Sequence, residues 1–191
     1  MDDIVITELC KSFGEKQVLD RFSAILPAGK ISGLMAPSGA GKTTLLRILM
    51  GLEQADSGSI TGLSELRISA VFQEDRLCLS LTPVQNLRLV NPRLTEQEAL
   101  AALRQVGLSD CPSSRTAELS GGMRRRVAIL RALLAPWDLL LLDEPFRSLD
   151  ADTRRLVMAD MKARIRGRTV LLVTHDPEEL TAVGAQICLT L

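Results

Sequence analysis

The most informative part of this 191-residue chain is one nine-residue stretch, Ala36-Pro37-Ser38-Gly39-Ala40-Gly41-Lys42-Thr43-Thr44. An apolar run, residues 31–35, precedes it, and residues 45–50 are typical of a helix. A strand, a glycine-rich turn and a helix carrying Gly-Lys-Thr form a P-loop, where backbone N–H groups and the positive end of the helix dipole converge on a phosphate. We therefore expect Lys42 to reach the β- and γ-phosphates of a nucleotide and the Thr43 hydroxyl to bind Mg²⁺.

One position departs from the pattern G-x-x-x-x-G-K-[ST], because Ala36 replaces its first glycine. A Cβ matters there only if the backbone needs a positive φ or if the methyl group meets the nucleotide. The donors from Ser38 to Thr44 are all present, so we expect an ordinary backbone at Ala36 and retained nucleotide binding. Taken alone, the stretch is also compatible with a glycine-rich turn that binds nothing.

A second glycine-rich element, Leu119-Ser120-Gly121-Gly122-Met123, runs into a helical stretch at residues 124–133. A serine and two glycines before a helix supply another nest of N–H donors at a positive helix end. The chain thus has two phosphate-type anion sites, although one nucleotide needs only one. The three arginines at 124–126 could form a nucleic-acid patch, but consecutive helical residues point in different directions, which favours a solvated face with one contact on the anion side.

Two carboxylates follow a run of four leucines at residues 139–142. Such a run is typical of a strand buried on both faces, and ligands bind at the carboxyl ends of strands in open α/β sheets. We expect Asp143 to hold Mg²⁺ and Glu144 to orient and deprotonate a water molecule. A helix cap or a solvated turn would explain one acidic residue at this place, but two in series behind a P-loop less well.

Two single residues end other apolar stretches. Gln73 has a long amide that can touch both the metal and the attacking water. His175, the only histidine, follows a strand-like run at residues 170–174. A lone histidine is more often structural, but its place at a strand end, in step with Asp143 and Gly39, favours a catalytic role.

Along the chain, five elements follow one another: the P-loop, Gln73, residues 119–123, residues 139–144 and His175. Together they resemble the nucleotide-binding subunit of ATP-binding-cassette (ABC) transporters, over essentially the whole chain. The resemblance implies an ATPase with a P-loop NTPase α/β fold: a mostly parallel sheet, an antiparallel N-terminal piece and an inserted helical lobe. It implies one domain, 1–191, in which 1–72 and 120–191 form the nucleotide-binding core lobe and 73–119 the helical lobe. Residues 143–150 look most like importer subunits, among them the nitrate, sulfonate and taurine group.

The resemblance also assigns roles to residues. Phe13 matches the aromatic that stacks on adenine, and Ser120 to Gly122 match the signature that caps the γ-phosphate bound to the opposite subunit. The implied nucleotide-binding residues are Phe13, Val18, Ala36, Pro37, Ser38, Gly39, Ala40, Gly41, Lys42, Thr43, Thr44, Ser120, Gly121, Gly122 and Asp150. The implied metal ligands are Thr43, Gln73 and Asp143, and the implied catalytic residues are Glu144, His175 and Gln73.

The implied cofactors are ATP and Mg²⁺, and the implied partners are a second ATPase subunit (in a homodimer or pseudo-dimer), transmembrane permease subunits and a solute-binding protein. Lys and Arg total 23, as do Asp and Glu, and aromatic residues are only 3%, so we expect no nucleic-acid partner. No apolar run approaches the roughly 18–20 residues that span a bilayer, and no signal-peptide pattern opens the chain. We expect a cytoplasmic protein, peripheral on the inner face of the cell membrane through its permease partner.

The middle of the chain predicts the helical lobe. A helix is expected over residues 94–106, opened by a capping box of Thr95 and Glu98 and ended at Gly107, with leucine-bearing segments near 77–89 and 108–119. The apolar segment 77–84 is typical of core in this lobe and also of a groove for a helix of a membrane subunit, and both can hold for different residues. Sixteen residues follow His175, so we expect no C-terminal regulatory domain.

Two other functions compete with transport. A soluble cassette ATPase of DNA repair or translation usually carries coiled-coil insertions, zinc modules or two cassettes, which this sequence lacks, whereas a cluster-assembly ATPase stays open. The cysteines (Cys10, Cys78, Cys111 and Cys188) have no metal-ligand spacing and are expected to be free thiols. A small-molecule kinase would have no use for residues 119–123.

Overall fold

The computed structural model describes residues 2–37, 39–109 and 113–191. Its strands and helices follow one another along the chain as β1 (Ile4–Phe13), β2 (Lys16–Leu26), β3 (Ile31–Met35), α1 (Lys42–Leu49), β4 (Ser57–Thr61), β5 (Ile68–Val71), α2 (Pro83–Val90), α3 (Glu96–Gln105), a 3₁₀ helix (Thr116–Glu118), α4 (Gly121–Leu134), β6 (Leu139–Asp143), α5 (Ala151–Ile165), β7 (Thr169–Val173), α6 (Pro177–Val183) and β8 (Ile187–Thr190).

The strands form two sheets. The larger sheet has five parallel strands in the order β5-β6-β7-β3-β8, and the smaller has three antiparallel strands in the order β2-β1-β4. The predicted α/β class, with a parallel sheet and an antiparallel N-terminal piece, is confirmed. The antiparallel strands make a sheet of their own.

Two apolar clusters cover the two faces of the parallel sheet. Leu140 and Leu142 face the cluster that includes side chains of α2, α3, α4 and α5. Leu139 and Leu141 face the other cluster, which includes side chains of β1, β2 and α1. All four leucines are fully buried, which explains why β6 is a continuous apolar run rather than an alternating one.

The helix α3 begins as its sequence predicts. The Thr95 hydroxyl accepts from the Glu98 backbone N–H at 3.2 Å, and the Glu98 carboxylate accepts from the Thr95 N–H at 2.8 Å. The same device opens α2 with Thr82 and Gln85, which the sequence interpretation did not identify. Both α2 and α3 pack against α4, and the boundaries of the two lobes stay a prediction.

Between residues 108 and 119, the described part contains only the short 3₁₀ helix at Thr116–Glu118, and residues 110–112, with Cys111, lie outside the description. No helix in the described ranges is long and apolar enough to cross a membrane.

Candidate functional site

The strand order brings the predicted site residues to one edge of the parallel sheet. β5, β6, β7 and β3 are consecutive neighbours, and their carboxyl ends lead to Gln73, Glu144, His175 and the P-loop respectively. In open α/β sheets this edge is where ligands bind. A pocket of about 370 Å³ lies there, lined by Phe13, Lys16, Val18, Gly39, Gly41, Lys42, Thr43, Thr44, Gln73, Asp143 and Glu144.

The P-loop needs glycine where it meets β2. Gly41, the N-cap of α1, has φ +95°, and a Cβ built on it would lie 2.5 Å from the Val18 carbonyl oxygen. Gly39 also has a positive φ, +81°, but no described heavy atom lies within 4 Å of a Cβ built there. Both glycines supply a left-handed backbone, and Gly41 also allows a close approach to β2.

The other predicted loop residues surround these glycines. The described residues with positive φ do not include Ala36, so its expected ordinary backbone is confirmed. The Ala40 N–H donates to the Pro37 carbonyl at 3.2 Å and tightens the loop. Ser38, which the sequence also assigned to the loop, lies outside the described residues.

Lys42 is buried against the loop that precedes it. Its ammonium Nζ donates to the carbonyl oxygens of Ala36 at 2.7 Å and of Pro37 at 2.9 Å, and 7% of the residue is exposed. The charge is therefore held at the pocket by two backbone acceptors. A phosphate entering the loop would compete for these donors.

Thr43 and Asp143 meet at the floor of the pocket. The Thr43 hydroxyl donates to Asp143 Oδ2 at 2.9 Å, and Asp143 is 5% exposed. Burial raises the pKa of Asp143, and the neighbouring Glu144 charge raises it further, whereas Thr43, Lys42 and Arg125 oppose the shift.

This pair fits Mg²⁺. Hydroxyl and carboxylate oxygens are hard donors, and Mg²⁺ is usually held by one or two carboxylates, with water and substrate phosphate completing its shell. In the described ranges, no group of three or more His, Cys, Asp and Glu side chains could hold a metal on its own.

Glu144 combines an unusual backbone with two nitrogen-bearing neighbours, His175 and Arg147. Its φ is +44°, and its N–H donates to the Val173 carbonyl at 2.9 Å. One carboxylate oxygen lies 3.6 Å from His175 Nδ1, and the other lies 3.8 Å from Arg147 Nη1. A left-handed non-glycine residue costs about 1–3 kcal/mol, and such conformations cluster at functional sites. His175 therefore lies beside the predicted base, as its place at a strand end indicated.

The second glycine-rich element lies outside the P-loop pocket, although Gly121 lines another pocket that Gln73 also lines. Among the described residues, the lining of the P-loop pocket does not include Ser120, Gly121, Gly122 or Asp150. Ser120 caps α4, accepting from the Met123 N–H at 3.3 Å, and Asp150 caps α5, accepting from the Thr153 N–H at 2.9 Å. Hydrogen bonds from the backbone and side chain of Thr153 lower the pKa of Asp150. Within one subunit, the predicted nucleotide site is therefore one-sided: the P-loop, Asp143 and Glu144 line the pocket, and Ser120 to Gly122 do not.

Two pocket residues have surroundings that the sequence did not indicate. Phe13, the predicted adenine-stacking residue, is half-exposed at the pocket, with Lys11 Nζ 5.1 Å from the centre of its ring. Lys16 also lines the pocket and was not singled out from the sequence. A lysine at the start of a strand, directly after a hairpin turn, has no signal that separates it from a solvated lysine.

The expected solvated face at the three arginines is wrong for Arg125. This residue is 4% exposed and donates to backbone carbonyls of the loops after β5 and β6. A signal for this existed, because Arg125, Ala128, Ile129 and Ala132 recur at helical spacing and all are buried. The charge of the run concealed that periodicity.

Comparisons with known proteins agree with this geometry. A family model described as ABC transporter matches residues 19–147. An aliphatic sulfonates import ATP-binding protein, SsuB 2, of Agrobacterium fabrum is 43% identical over 95% of this chain and 73% of its own length. The SsuB 2 protein of Rhodococcus jostii is 40% identical over 96% of this chain and 77% of its own length. The SsuB protein of Albidiferax ferrireducens is 41% identical over 98% of this chain and 70% of its own length.

These matches cover the P-loop, the second glycine-rich element and the two carboxylates at the end of β6 in one alignment. They do not favour a soluble ATPase uncoupled from transport. The chain therefore belongs to the ABC transporter family, as an ATP-binding subunit that hydrolyses ATP and couples hydrolysis to transport.

Proposed function

We propose that this subunit works as a dimer that binds two Mg²⁺-ATP molecules between its subunits and drives solute import through membrane permease subunits. The observation that carries this proposal is the one-sided site. The P-loop, Asp143 and Glu144 share one pocket, whereas Ser120 to Gly122 lie outside it. A second subunit that presents its own Ser120 to Gly122 would complete the pocket.

The start of α4 is suited to such a contact. Ser120 and Gly121 are exposed, and no described heavy atom lies within 4 Å of a Cβ built on Gly121. Backbone N–H groups at the positive end of a fourteen-residue helix favour a phosphate. This end of α4 can therefore approach a nucleotide that the other subunit holds.

The pocket residues divide the chemistry of hydrolysis. Lys42 and the P-loop amides bind the phosphates, and Thr43 and Asp143, together with Gln73, would hold Mg²⁺, which neutralises phosphate charge when bound. Glu144 accepts a proton from the water that attacks the γ-phosphate, and His175, 3.6 Å away, supports the position of that carboxylate. Positioning and charge stabilisation supply most of the acceleration in such reactions.

The helical segment offers a surface for a permease. Leu77 is half-buried against the core and Val84 is buried in it, but Leu79 and Leu89 are about half exposed. A groove of about 400 Å³ lies alongside, lined by Thr82, Val84, Gln85, Arg88, Glu96, Leu100 and Ser113. Within segment 77–84, Leu77 and Val84 therefore belong to the core, and the exposed Leu79 stays accessible to a partner. We assign the groove to a helix of the membrane subunit, which would place this protein on the cytoplasmic face of the cell membrane.

The relatives suggest the class of solute. The three described above are named as aliphatic sulfonates import proteins. We infer an alkanesulfonate-type solute, delivered by a solute-binding protein, for the system that this subunit serves.

Growth of a deletion strain tests this function. With an alkanesulfonate as the only sulfur source, we expect the strain to stop growing and the wild-type gene to restore growth. A gene that carries Glu144→Gln should fail to restore it, at equal protein level. Growth on sulfate is the control. Unimpaired growth of the deletion strain on every alkanesulfonate supplied would contradict the inferred solute, and restoration by Glu144→Gln would contradict the catalytic assignment.

A further inference from the structure

Arg125 lies in the second turn of α4 and is almost fully buried. Its guanidinium contacts the backbone at the end of β6 and in the loop that follows. Nε donates to the Pro145 carbonyl at 2.8 Å, and Nη2 donates to the carbonyl oxygens of Glu144 at 2.7 Å and of Asp143 at 3.1 Å. The arginine therefore binds three successive carbonyl groups of the loop that carries both pocket carboxylates.

The third nitrogen of the same guanidinium binds a second loop. Nη1 donates to the Phe72 carbonyl at 2.5 Å and to the Gln73 carbonyl at 3.4 Å, and it lies 3.3 Å from Asp75 Oδ1. One planar cation thus connects the loop of Gln73 with the loop of Glu144. Arginine suits this place because its five donors have a rigid planar arrangement that a lysine ammonium lacks.

The contacts with the β6 loop bear on the backbone of Glu144. Its left-handed conformation, φ +44°, is of a kind that persists only where the surroundings over-determine it. Arg125 binds the carbonyl groups on both sides of the Glu144 Cα, and the Glu144 N–H is bound to Val173 in β7. Removing the guanidinium frees one side of this turn, so the Glu144 carboxylate loses its fixed direction.

The next residue on the helix, Arg126, makes bonds of the same kind with a different part of the chain. Arg126 is half-buried, and its Nη1 donates to the carbonyl oxygens of Val106 at 2.8 Å and of Gly107 at 2.9 Å. These acceptors lie at the end of α3, and the Arg126 Nε donates to the Gly122 carbonyl oxygen, one turn earlier in α4, at 3.3 Å. None of these three acceptors belongs to the loop of Gln73 or the loop of Glu144. Arg126 therefore matches Arg125 in helix and bond type but differs in the segment it stabilises.

We propose that Arg125 is a positioning residue for ATP hydrolysis. It fixes the position of the Gln73 loop relative to the Glu144 loop. It also fixes both loops relative to the Ser120 to Gly122 segment at the start of its own helix. The proposal rests on the roles proposed above for Gln73 and Glu144. It predicts that loss of Arg125 slows the chemical step more than it weakens nucleotide binding.

The test uses the full chain and compares Arg125→Met and Arg125→Lys with Arg126→Met. For Arg125→Met we expect kcat to fall by ~10- to 100-fold, the scale of a misplaced catalytic group, while KM and the Kd of ATP stay within ~3-fold. Arg125→Lys keeps a positive charge at this place and should recover part of kcat. The recovery should be incomplete, because an ammonium group reaches fewer carbonyl groups than a guanidinium does. Arg126→Met should lower Tm, with kcat within ~3-fold of the wild type at a permissive temperature. If Arg125→Met does not fold, Arg125→Lys against Arg126→Lys makes the same comparison.

A second measurement asks whether Arg125 acts through Glu144. Residues that act as a unit are non-additive, so Arg125→Met should lower the residual rate of a Glu144→Gln variant by less than ~3-fold. A full additional loss in that background would contradict the proposal. So would equal losses of kcat in Arg125→Met and Arg126→Met at equal losses of Tm.

Two outcomes separate an error in the role of Glu144 from an error in the role of Arg125. If Glu144→Gln hydrolyses ATP at the wild-type rate, the proposed role of Glu144 is wrong whatever Arg125 does. If Glu144→Gln is inactive and Arg125→Met keeps the wild-type kcat, only the role of Arg125 is wrong.

Discussion

At the scale of residues, Glu144 carries the proton transfer. Gln at this position keeps the shape and the hydrogen bonding of the side chain but cannot accept a proton, so Glu144→Gln should bind ATP and lose hydrolysis by roughly 10²–10⁴-fold. Because the nucleotide is not consumed, the variant should accumulate as a dimer on gel filtration with ATP. Glu178→Gln, an exposed carboxylate on α6, is the matched control. Normal turnover in Glu144→Gln would remove Glu144 from the mechanism.

Asp143 illustrates a site residue that weakens the fold. Burial raises its pKa above the usual value, 3.8. The native state therefore binds the proton more tightly than the unfolded chain, and the free energy of unfolding falls as pH rises from about 3.8 through the native pKa. We expect Asp143→Asn to raise the Tm of the nucleotide-free protein at pH 7, by ~2 °C or more, and to abolish Mg²⁺-dependent hydrolysis. At pH 3 the gain in Tm should vanish. An equal gain at both pH values would contradict this explanation.

Ala36 tests how much the first P-loop glycine matters here. Its carbonyl accepts from Lys42 and its backbone is not left-handed, so a Cβ causes no strain. Wild type and Ala36→Gly should bind Mg²⁺-ATP with affinities within roughly tenfold of each other, about 1.4 kcal/mol. Nucleotide titration of both proteins is the measurement. Saturable binding by Ala36→Gly alone would identify the chain as a degenerate cassette.

At the scale of elements, the junction between β2 and α1 sets the P-loop. Gly41→Ala and Gly39→Ala both place a methyl group on a left-handed backbone, at about 1–2 kcal/mol each. Only Gly41→Ala also forces a Cβ to within 2.5 Å of the Val18 carbonyl. We therefore expect Gly41→Ala to lower Tm more than Gly39→Ala and to weaken ATP binding by at least ~10-fold. Equal effects in thermal melting and nucleotide titration would show that the contact with β2 is unimportant.

Local patterns predicted the elements that have local causes. Continuous apolar runs predicted β3, β6 and β7, because strands covered on both faces need no polar side, and the capping box predicted the start of α3. The start of α1 was less clear, because it lies at Lys42, where the P-loop turn ends, rather than at the apolar run from residue 45.

Tertiary contacts explain what the sequence concealed. The buried place of Arg125 depends on loops 50 residues away and 20 residues away along the chain. The resemblance implied that Ser120 to Gly122 cap a nucleotide on the opposite subunit, and the lining of the P-loop pocket in their own subunit does not include these residues. Composition and periodicity do not report such distances.

In the whole molecule, we propose that each active site needs two subunits. Lys42→Ala damages the pocket and leaves Ser120 to Gly122 intact, whereas Ser120→Arg does the opposite. In a mixed dimer, the pocket of the Ser120→Arg subunit meets the intact signature of the Lys42→Ala subunit. One of the two sites is then complete, although each variant alone has none.

Mixing these two variants tests the claim most directly. Each alone should be nearly inactive, and an equal mixture should recover on the order of a quarter of the wild-type ATPase rate, since half of the randomly paired dimers are mixed and each has one complete site. The control mixes Ser120→Arg with the double variant Ser120→Arg, Lys42→Ala, which forms no complete site. Recovery in the test mixture and not in the control is the predicted result. Wild-type activity of Ser120→Arg alone, or no recovery on mixing subunits that do form dimers, would contradict the shared site.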